Sequence, residues 1–229
     1  LRPAMKRKNL TVITKAQVTK ILFKGKCAVG VEYSKAGKLC QVHSKREVIL
    51  SAGSINSPQL LQLSGIGSET VLKEANVSVL HHSPAVGRNL QDHLGVDYFY
   101  KSKVKTLNDQ LRPWWGKLLQ GVRYILTRTG PLSLSVNQAG GFVRTREGLS
   151  RPNIQLYYSP VSYTRMPPGK RAMMSPDPFS AMLLGVSNCR PKSRGEIRIT
   201  SNDAFAAPLI EPNYLSHDDD VQDLLEGVK

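Results

Sequence analysis

The chain has 229 residues, of which 40% are hydrophobic and 21% charged, a composition typical of a globular protein with one large or two smaller domains. No uncharged apolar run approaches the ~18 residues that a transmembrane helix needs, so no membrane span is predicted. The net charge of +15 raises the hypothesis of a basic module that binds nucleic acid or an acidic surface. However, the basic residues of positions 1–46 mostly stand singly between apolar ones, which favours solvated strand faces and argues against a nucleic-acid partner.

The cysteines and histidines do not predict a metal site. Cys27, Cys40 and Cys189 show no ligand-type spacing with the five histidines. Cys27 and Cys40 could face each other across paired strands. Two Asn-X-Ser/Thr triplets, at Asn9 and Asn76, only weakly favour a secreted protein, so the compartment is not determined.

The first fifty residues are rich in β-branched residues separated by turn residues, which predicts five strands. They cover residues 10–14, 18–23, 28–33, 40–44 and 47–51. We expect the middle three to form an antiparallel meander. The last contains the apolar run EVIL, typical of a strand that is covered on both faces in a parallel sheet.

The stretch GSINSPQLLQLSGIG, residues 53–67, predicts a turn at Gly53 that leads into a helix. Asn56 or Ser57 would cap a helix whose first residue is Pro58, with its leucines facing inward. Gly65 is placed to end this helix in a left-handed conformation. The segment could be a plain turn or an anion-binding helix start, because it has one glycine where dinucleotide fingerprints have three.

The remaining segments predict a mixed α/β chain. A short helix at 68–76, a strand at 77–82 and a polar loop are followed, from about residue 96, by antiparallel strands and a helix at 113–130. Ser216 would cap a final amphipathic helix with an acidic first turn. Trp114 and Trp115, with two tyrosines at 157 and 158, could line a pocket, or pack in a core or between domains.

The polar loop at 83–95 contains a candidate acid–base pair. Asp92 could orient the adjacent His93 as a general base. The alternative is structural, with Asn89 and Asp92 binding loop amides and His93 at the edge.

Taken in order, these segments resemble the glucose-methanol-choline family of flavoprotein oxidoreductases. Residues 53–67 fill every defined position of that family's signature, namely Gly53, Ser54, Ser57, Pro58, Leu60, Leu61, Ser64, Gly65, Ile66 and Gly67. The segments REVILSAG, VGRNLQDHL, RPKSRGEIRI and PNYLSHDDDVQDLLEGVK follow in the family's order. Within that family, the sequence is most similar to insect glucose dehydrogenase-like members.

The resemblance implies an enzyme that uses FAD to oxidise an alcohol or sugar by hydride transfer to the flavin. It implies cofactor contacts at Val18, Ser51, Ala52 and Gly53, and positions nearer the active site for Asn89, Asp92 and His93. Residues 1–95 would be part of the FAD-binding domain and 96–205 most of the substrate domain, with 206–229 returning to the first.

The chain also departs from the family pattern. We expect the family's pyrophosphate fingerprint to precede Leu1 and its active-site histidine to follow Lys229, so no catalytic residue is assigned here. The chain alone would then neither bind FAD tightly nor turn over. A basic binding module and an inactive family member that serves as a binding protein are the alternatives. Substrate, electron acceptor and oligomeric state are not predicted.

Overall fold

The computed structural model describes residues 2–164 and 175–229, and it is a mixed α/β structure with mainly antiparallel sheets, as expected. The strands, in chain order, are β1 (Ala16–Lys24), β2 (Cys27–Lys35), β3 (Lys38–His43), β4 (Ile66–Gly67), β5 (His81–His82), β6 (Arg88–Leu90), β7 (Gly95–Lys101), β8 (Ala139–Val143), β9 (Ile154–Ser159), β10 (Tyr163–Thr164), β11 (Ser175–Pro176), β12 (Ala181–Asn188), β13 (Gly195–Arg198) and β14 (Leu209–Glu211). The helices are α1 (Gly53–Leu63), α2 (Glu69–Glu74), α3 (Leu107–Leu111), α4 (Trp114–Thr127) and α5 (Asp218–Gly227).

The chain forms two compact units. Leu1–Gln91 with Arg194–Asn213 form the first unit, and Asp92–Ser193 with Tyr214–Lys229 form the second. The segment that returns to the first unit is therefore 194–213, whereas α5 packs on β12 and β9 of the second unit. The naming of FAD-binding and substrate domains stays a prediction.

The first unit begins with the expected antiparallel meander, in the order β1-β2-β3. Two of the five predicted strands are wrong, because residues 10–14 and 47–51 form no strand. An apolar run becomes a strand only where a neighbour accepts its backbone hydrogen bonds, and within the described residues nothing pairs with 47–51. Ile49 is accordingly 77% exposed.

The two cysteines of the meander do not face each other. In the strand register Cys40 lies opposite Tyr33, and Cys27 lies opposite Lys24 at the hairpin turn. Both thiols are free. The possible cross-strand pair is therefore wrong, because the register and not the sequence distance decides which side chains meet.

Helix α1 begins five residues earlier than predicted. It starts at Gly53, after Ala52, and Pro58 lies inside it instead of at its first position. Proline there cannot donate to the carbonyl of Ser54, which is exposed and can bind water instead. Gly65 has the expected left-handed conformation, with φ of +84°. Helix α2 follows from Ser68 as predicted.

The second unit is a four-stranded antiparallel sheet in the order β7-β12-β9-β8. Ile154, Val186 and Leu224 form its core, which joins the sheet to α5. The predicted cap of α5 is wrong by one residue: the Nδ1 atom of His217, not Ser216, accepts the N–H of Asp219 at 3.2 Å. A chain with extended φ and ψ at 217 places that imidazole over the first turn.

Helix α4 does not bury its tryptophans. Trp114 is 75% exposed and Trp115 is 59% exposed, so neither fills a core of the second unit. The helix instead packs through Gly116, which is buried against the carbonyl of Gln110. Gly116 allows this approach because it has no Cβ; an added one would lie 2.0 Å from that oxygen.

Candidate functional site

The turn at Ser51, Ala52 and Gly53 forms the exposed start of α1. The Oγ atom of Ser57 accepts the N–H of Ala52 at 3.1 Å, which fixes the turn from within the helix. No side chain caps the helix from position 52, and its first turn carries no acid. The N–H groups that follow Ala52 thus point to a surface where an anion or a polar ligand edge is favoured.

Gly53 is required by its backbone and not by crowding. Its φ is +88°, a conformation that side chains rarely adopt, yet an added Cβ would meet nothing within 4 Å. The space over this residue is therefore open. A ligand can approach the backbone closely here.

Val18 lies on β1, opposite Tyr33, at an irregularity in the strand pairing between Val18 and Lys20. The register skips Thr19 at this point, whereas Val18 itself is paired. The cofactor contact that the resemblance implies for Val18 stays a prediction. The side chain of Val18 is half-buried.

Two polar residues of α1 attach this helix to strands on either side. The buried Ser64 accepts the N–H of Ile21 on β1 at 2.9 Å. The side chain of Gln62, 1% exposed, donates to the carbonyls of Val86 (3.2 Å) and Ile197 (3.1 Å), and its Oε1 accepts the N–H of Ile199 at 2.8 Å.

The sequence analysis does not predict these hydrogen bonds, because it considers only the leucines as the buried residues of this helix. The signal was present in the buried face of α1, where Gln59 and Gln62 stand three residues apart among apolar residues. A buried amide needs partners for both its ends, so such a residue is expected to join separate segments.

A cavity of the first unit lies away from the predicted cofactor residues. It has a volume of about 740 Å³ and lies beside Thr19, Gly65 and Leu80. None of Val18, Ser51, Ala52 and Gly53 lines it. It adjoins the carboxyl end of α1, about 16 Å along the helix from Gly53. The exposed turn stays the site that the sequence predicts.

The predicted acid–base pair is not assembled. Asp92 accepts a hydrogen bond from the hydroxyl of Tyr214, and this bond raises the pKa of Tyr214. Asp92 therefore binds a partner other than His93, which is exposed. Asn89 has a φ of +63°, which explains an asparagine at this position, and it belongs to the first unit while Asp92 and His93 belong to the second.

Across 2–164 and 175–229, no group of three or more His, Cys, Asp or Glu side chains could hold a metal ion. In the same part of the chain, no helix has both the length and the apolar character needed to cross a bilayer.

Two family models, both described as GMC oxidoreductase, match residues 1–95 and 191–229, together more than half of the chain. The chain belongs to the GMC oxidoreductase family. The family and its solved members are FAD-binding flavoproteins. The family resemblance of the sequence is thereby confirmed, whereas the insect glucose dehydrogenase-like branch is not.

Curated relatives support the same family. The chain is 44% identical over 230 residues to an oxygen-dependent choline dehydrogenase of Photobacterium profundum, and it covers 39% of that protein. It is 40% identical over 219 residues, 94% of this chain and 39% of the relative, to an uncharacterized GMC-type oxidoreductase of Mycobacterium tuberculosis. The chain thus spans about two fifths of the length of these relatives.

Solved structures give the same fold. The alignment with a pyridoxine 4-oxidase from Mesorbium loti covers all of this chain and 40% of the oxidase chain, with a TM-score of 0.77 and 25% identity. A formate oxidase variant of Aspergillus oryzae aligns with 98% of this chain and 43% of its own, with a TM-score of 0.86 and 24% identity.

The residues at the start of α1 fit the outer part of an FAD molecule. Main-chain N–H groups and an open surface over Gly53 suit hydrogen bonds to a polar ligand edge, such as that of the adenosine part of FAD. No residue of the described chain brings a paired base to this turn. Its chemistry is binding and positioning.

Proposed function

We propose that this chain is a central part of an FAD-dependent oxidoreductase that acts on the CH–OH group of an alcohol or sugar. The observation that carries the proposal is the open turn at Gly53, within a family signature that is filled at every defined position. FAD would supply the redox chemistry by accepting a hydride at its flavin ring. The turn at Ser51–Gly53 and the main chain at Val18 would hold the adenosine part.

The roles of the chain's own residues follow from its contacts. Ser57 fixes the turn by accepting the N–H of Ala52, and Gln62 and Ser64 attach α1 to β13 and β1. These bonds keep the free N–H groups pointing in one direction before any ligand arrives. Such preorganisation lowers the entropy cost of binding. Asn89, Asp92 and His93 stay proposed as positions near the active site.

The cofactor part of the proposal is tested with Gly53→Ala in the complete flavin-loaded protein that contains this chain. Gly37→Ala is the matched control, because Gly37 also has a positive φ (+76°) and open space around its Cβ position. Backbone strain is then similar in both variants. We expect Gly53→Ala to weaken FAD binding at least about tenfold, a loss of about 1.4 kcal/mol, while Gly37→Ala leaves it unchanged. Equal FAD affinity in the two variants would remove the turn from the cofactor site.

The substrate class is tested by anaerobic bleaching of the flavin absorbance with a panel of alcohols and sugars. Choline belongs in the panel because a relative is a choline dehydrogenase. Glucose belongs in it because the sequence resembles glucose dehydrogenase-like members of the family. Bleaching by an alcohol or a sugar supports the proposal. A complete protein that is purified without flavin, or is bleached by neither class, would favour the inactive binding protein instead.

A further inference from the structure

Helix α4 of the second unit is oriented with its apolar side towards solvent. Six of its large apolar side chains are each at least 59% exposed, namely Trp114, Trp115, Leu118, Leu119, Ile125 and Leu126. At about 100° per residue they fall within an arc of about 140°, which we call the outer face. The opposite side, with Gly116 and Gln120, is the one that packs on the unit.

The orientation of α4 is fixed by its contacts and not by chance exposure. Gly116 is buried against the carbonyl of Gln110, so a rotated helix would drive a larger side chain into that oxygen. Pro113 precedes the first residue, and Arg128 ends the helix in a left-handed conformation. An outer face held in this way exposes more apolar surface than scattered leucines do, which marks an interaction site.

Charge identifies the kind of surface that the outer face fits. Residues 112–128, which contain α4 and its two flanks, include four Lys or Arg and no Asp or Glu. On the helical wheel Lys117 and Arg123 lie on the two sides of the outer face, and both are exposed. Tryptophans and aliphatic residues between flanking basic residues are typical of helices that lie in the interface of an anionic membrane.

We propose that the outer face of α4 docks this protein onto an anionic lipid surface. The helix has 14 residues, about 21 Å of length, so it is too short to cross a bilayer and would lie in its plane. A second copy fits less well, because two such faces would bring basic flanks together without acids to pair with them. This inference is independent of the proposed redox function.

The test uses the complete flavin-loaded protein with two vesicle types, phosphatidylcholine alone and phosphatidylcholine containing phosphatidylglycerol. We expect co-sedimentation with the anionic vesicles to be at least tenfold stronger than with the neutral ones, and to weaken as salt is added. The double variant Leu118→Glu with Ile125→Glu should lose this binding at least tenfold. The control is Leu39→Glu on β3, a leucine of similar exposure (66%), which should bind as the parent does.

A second variant separates docking from folding. Lys117→Glu with Arg123→Glu changes only exposed charges, so it should keep its flavin and lose the preference for anionic vesicles. The proposal is overturned if the parent protein binds neither vesicle type. It is also overturned if the Leu118 and Ile125 variant changes the oligomeric state, which indicates a second copy, or loses flavin, which indicates that the rest of the protein covers the face.

Discussion

At the residue scale, Gln62 has the most connections of the side chains around the candidate site. It is buried and binds Val86, Ile197 and Ile199, which belong to segments more than a hundred positions apart in the sequence. Leucine has a similar volume, but its side chain cannot donate or accept a hydrogen bond. The carbonyl of Ile197 and the N–H of Ile199 would then lose a buried partner, and the carbonyl of Val86 a half-buried one.

We therefore expect Gln62→Leu to destabilise the protein by about 3 kcal/mol, since each unpaired buried group costs roughly 1–3 kcal/mol. Denaturant unfolding measures this change. Gln41→Leu is the control, because Gln41 is exposed and makes one surface bond, so its replacement should stay within about 0.5 kcal/mol. Equal effects of the two substitutions would show that the Gln62 bonds contribute nothing beyond burial.

Replacement of Gly65 tests how closely the chain packs at the end of α1. Its φ is +84°, and an added Cβ would lie 2.5 Å from the carbonyl oxygen of Ser78. Gly37→Ala meets only the backbone strain of a positive φ, about 1–2 kcal/mol. Gly65→Ala meets the strain and the clash, so we expect a further ~1–3 kcal/mol of destabilisation in thermal or denaturant unfolding. If Gly65→Ala is no worse than Gly37→Ala, the close approach of Ser78 is not maintained in solution.

At the element scale, the attachment of α5 to the second unit combines apolar packing with a cluster of charged groups. Thr145 donates to Oε2 of Glu226 at 2.7 Å, and Arg146 donates to Asp223 and to Glu226 at 2.7 Å each. Hydrogen bonds from Gln222, Thr145 and Arg146 lower the pKa of Glu226 from 4.5 to about 2. The charged form of Glu226 therefore stabilises this attachment.

The sign of the pH dependence follows from that lowered pKa. The contribution of Glu226 is fully present above pH 4.5, and it is lost as the pH falls from 4.5 towards 2. We expect Glu226→Gln to flatten the fall of unfolding free energy in this range and to leave its shape at neutral pH unchanged. Glu147→Gln, at an exposed carboxylate on the same unit, is the control. Parallel pH curves for Glu226→Gln and the parent would contradict the assignment.

A second carboxylate, near the amino-terminal end of α5, also stabilises the attachment of this helix in its charged form. Asp220 is 3% exposed and accepts the N–H of Lys192 at 2.7 Å and both the N–H and the hydroxyl of Ser193, at 2.8 and 2.5 Å. Burial alone would raise the pKa of Asp220, but these hydrogen bonds lower it. The acidic first turn seen in the sequence thus includes one residue that is structural and buried.

At the scale of the whole molecule, the net charge of +15 makes nucleic-acid binding a property to be tested. The family models place the chain among oxidoreductases, and the basic residues of the meander are spread along its exposed positions. We expect any DNA or RNA binding to be independent of sequence and to fall steeply between low and physiological salt, as for a diffuse charge. Filter binding over a salt series measures it. Tight, sequence-dependent binding at physiological salt would instead support the basic-module alternative.

The sequence alone determined the family, the mixed α/β class, the antiparallel meander and the left-handed glycine at 65. These features depend on local patterns, in which a glycine, a proline or alternating apolar residues restrict the backbone wherever they occur. The signature at 53–67 also located the turn whose exposed N–H groups form the candidate cofactor site. Local sequence was enough, because the turn is made by consecutive residues.

The tertiary structure decided the rest, because it depends on which distant segments meet. The apolar run at 47–50 formed no strand, since within the described residues no neighbour pairs with it. Asp92 accepts a hydrogen bond from Tyr214, which lies 122 positions away, and not from the adjacent His93. The orientation of α4 was also decided by packing, because Gly116 fits against Gln110 of the preceding helix. Gln62 acquired three partners, on segments 24 to 137 positions away. Partners across such distances are chosen by packing, which no local pattern encodes.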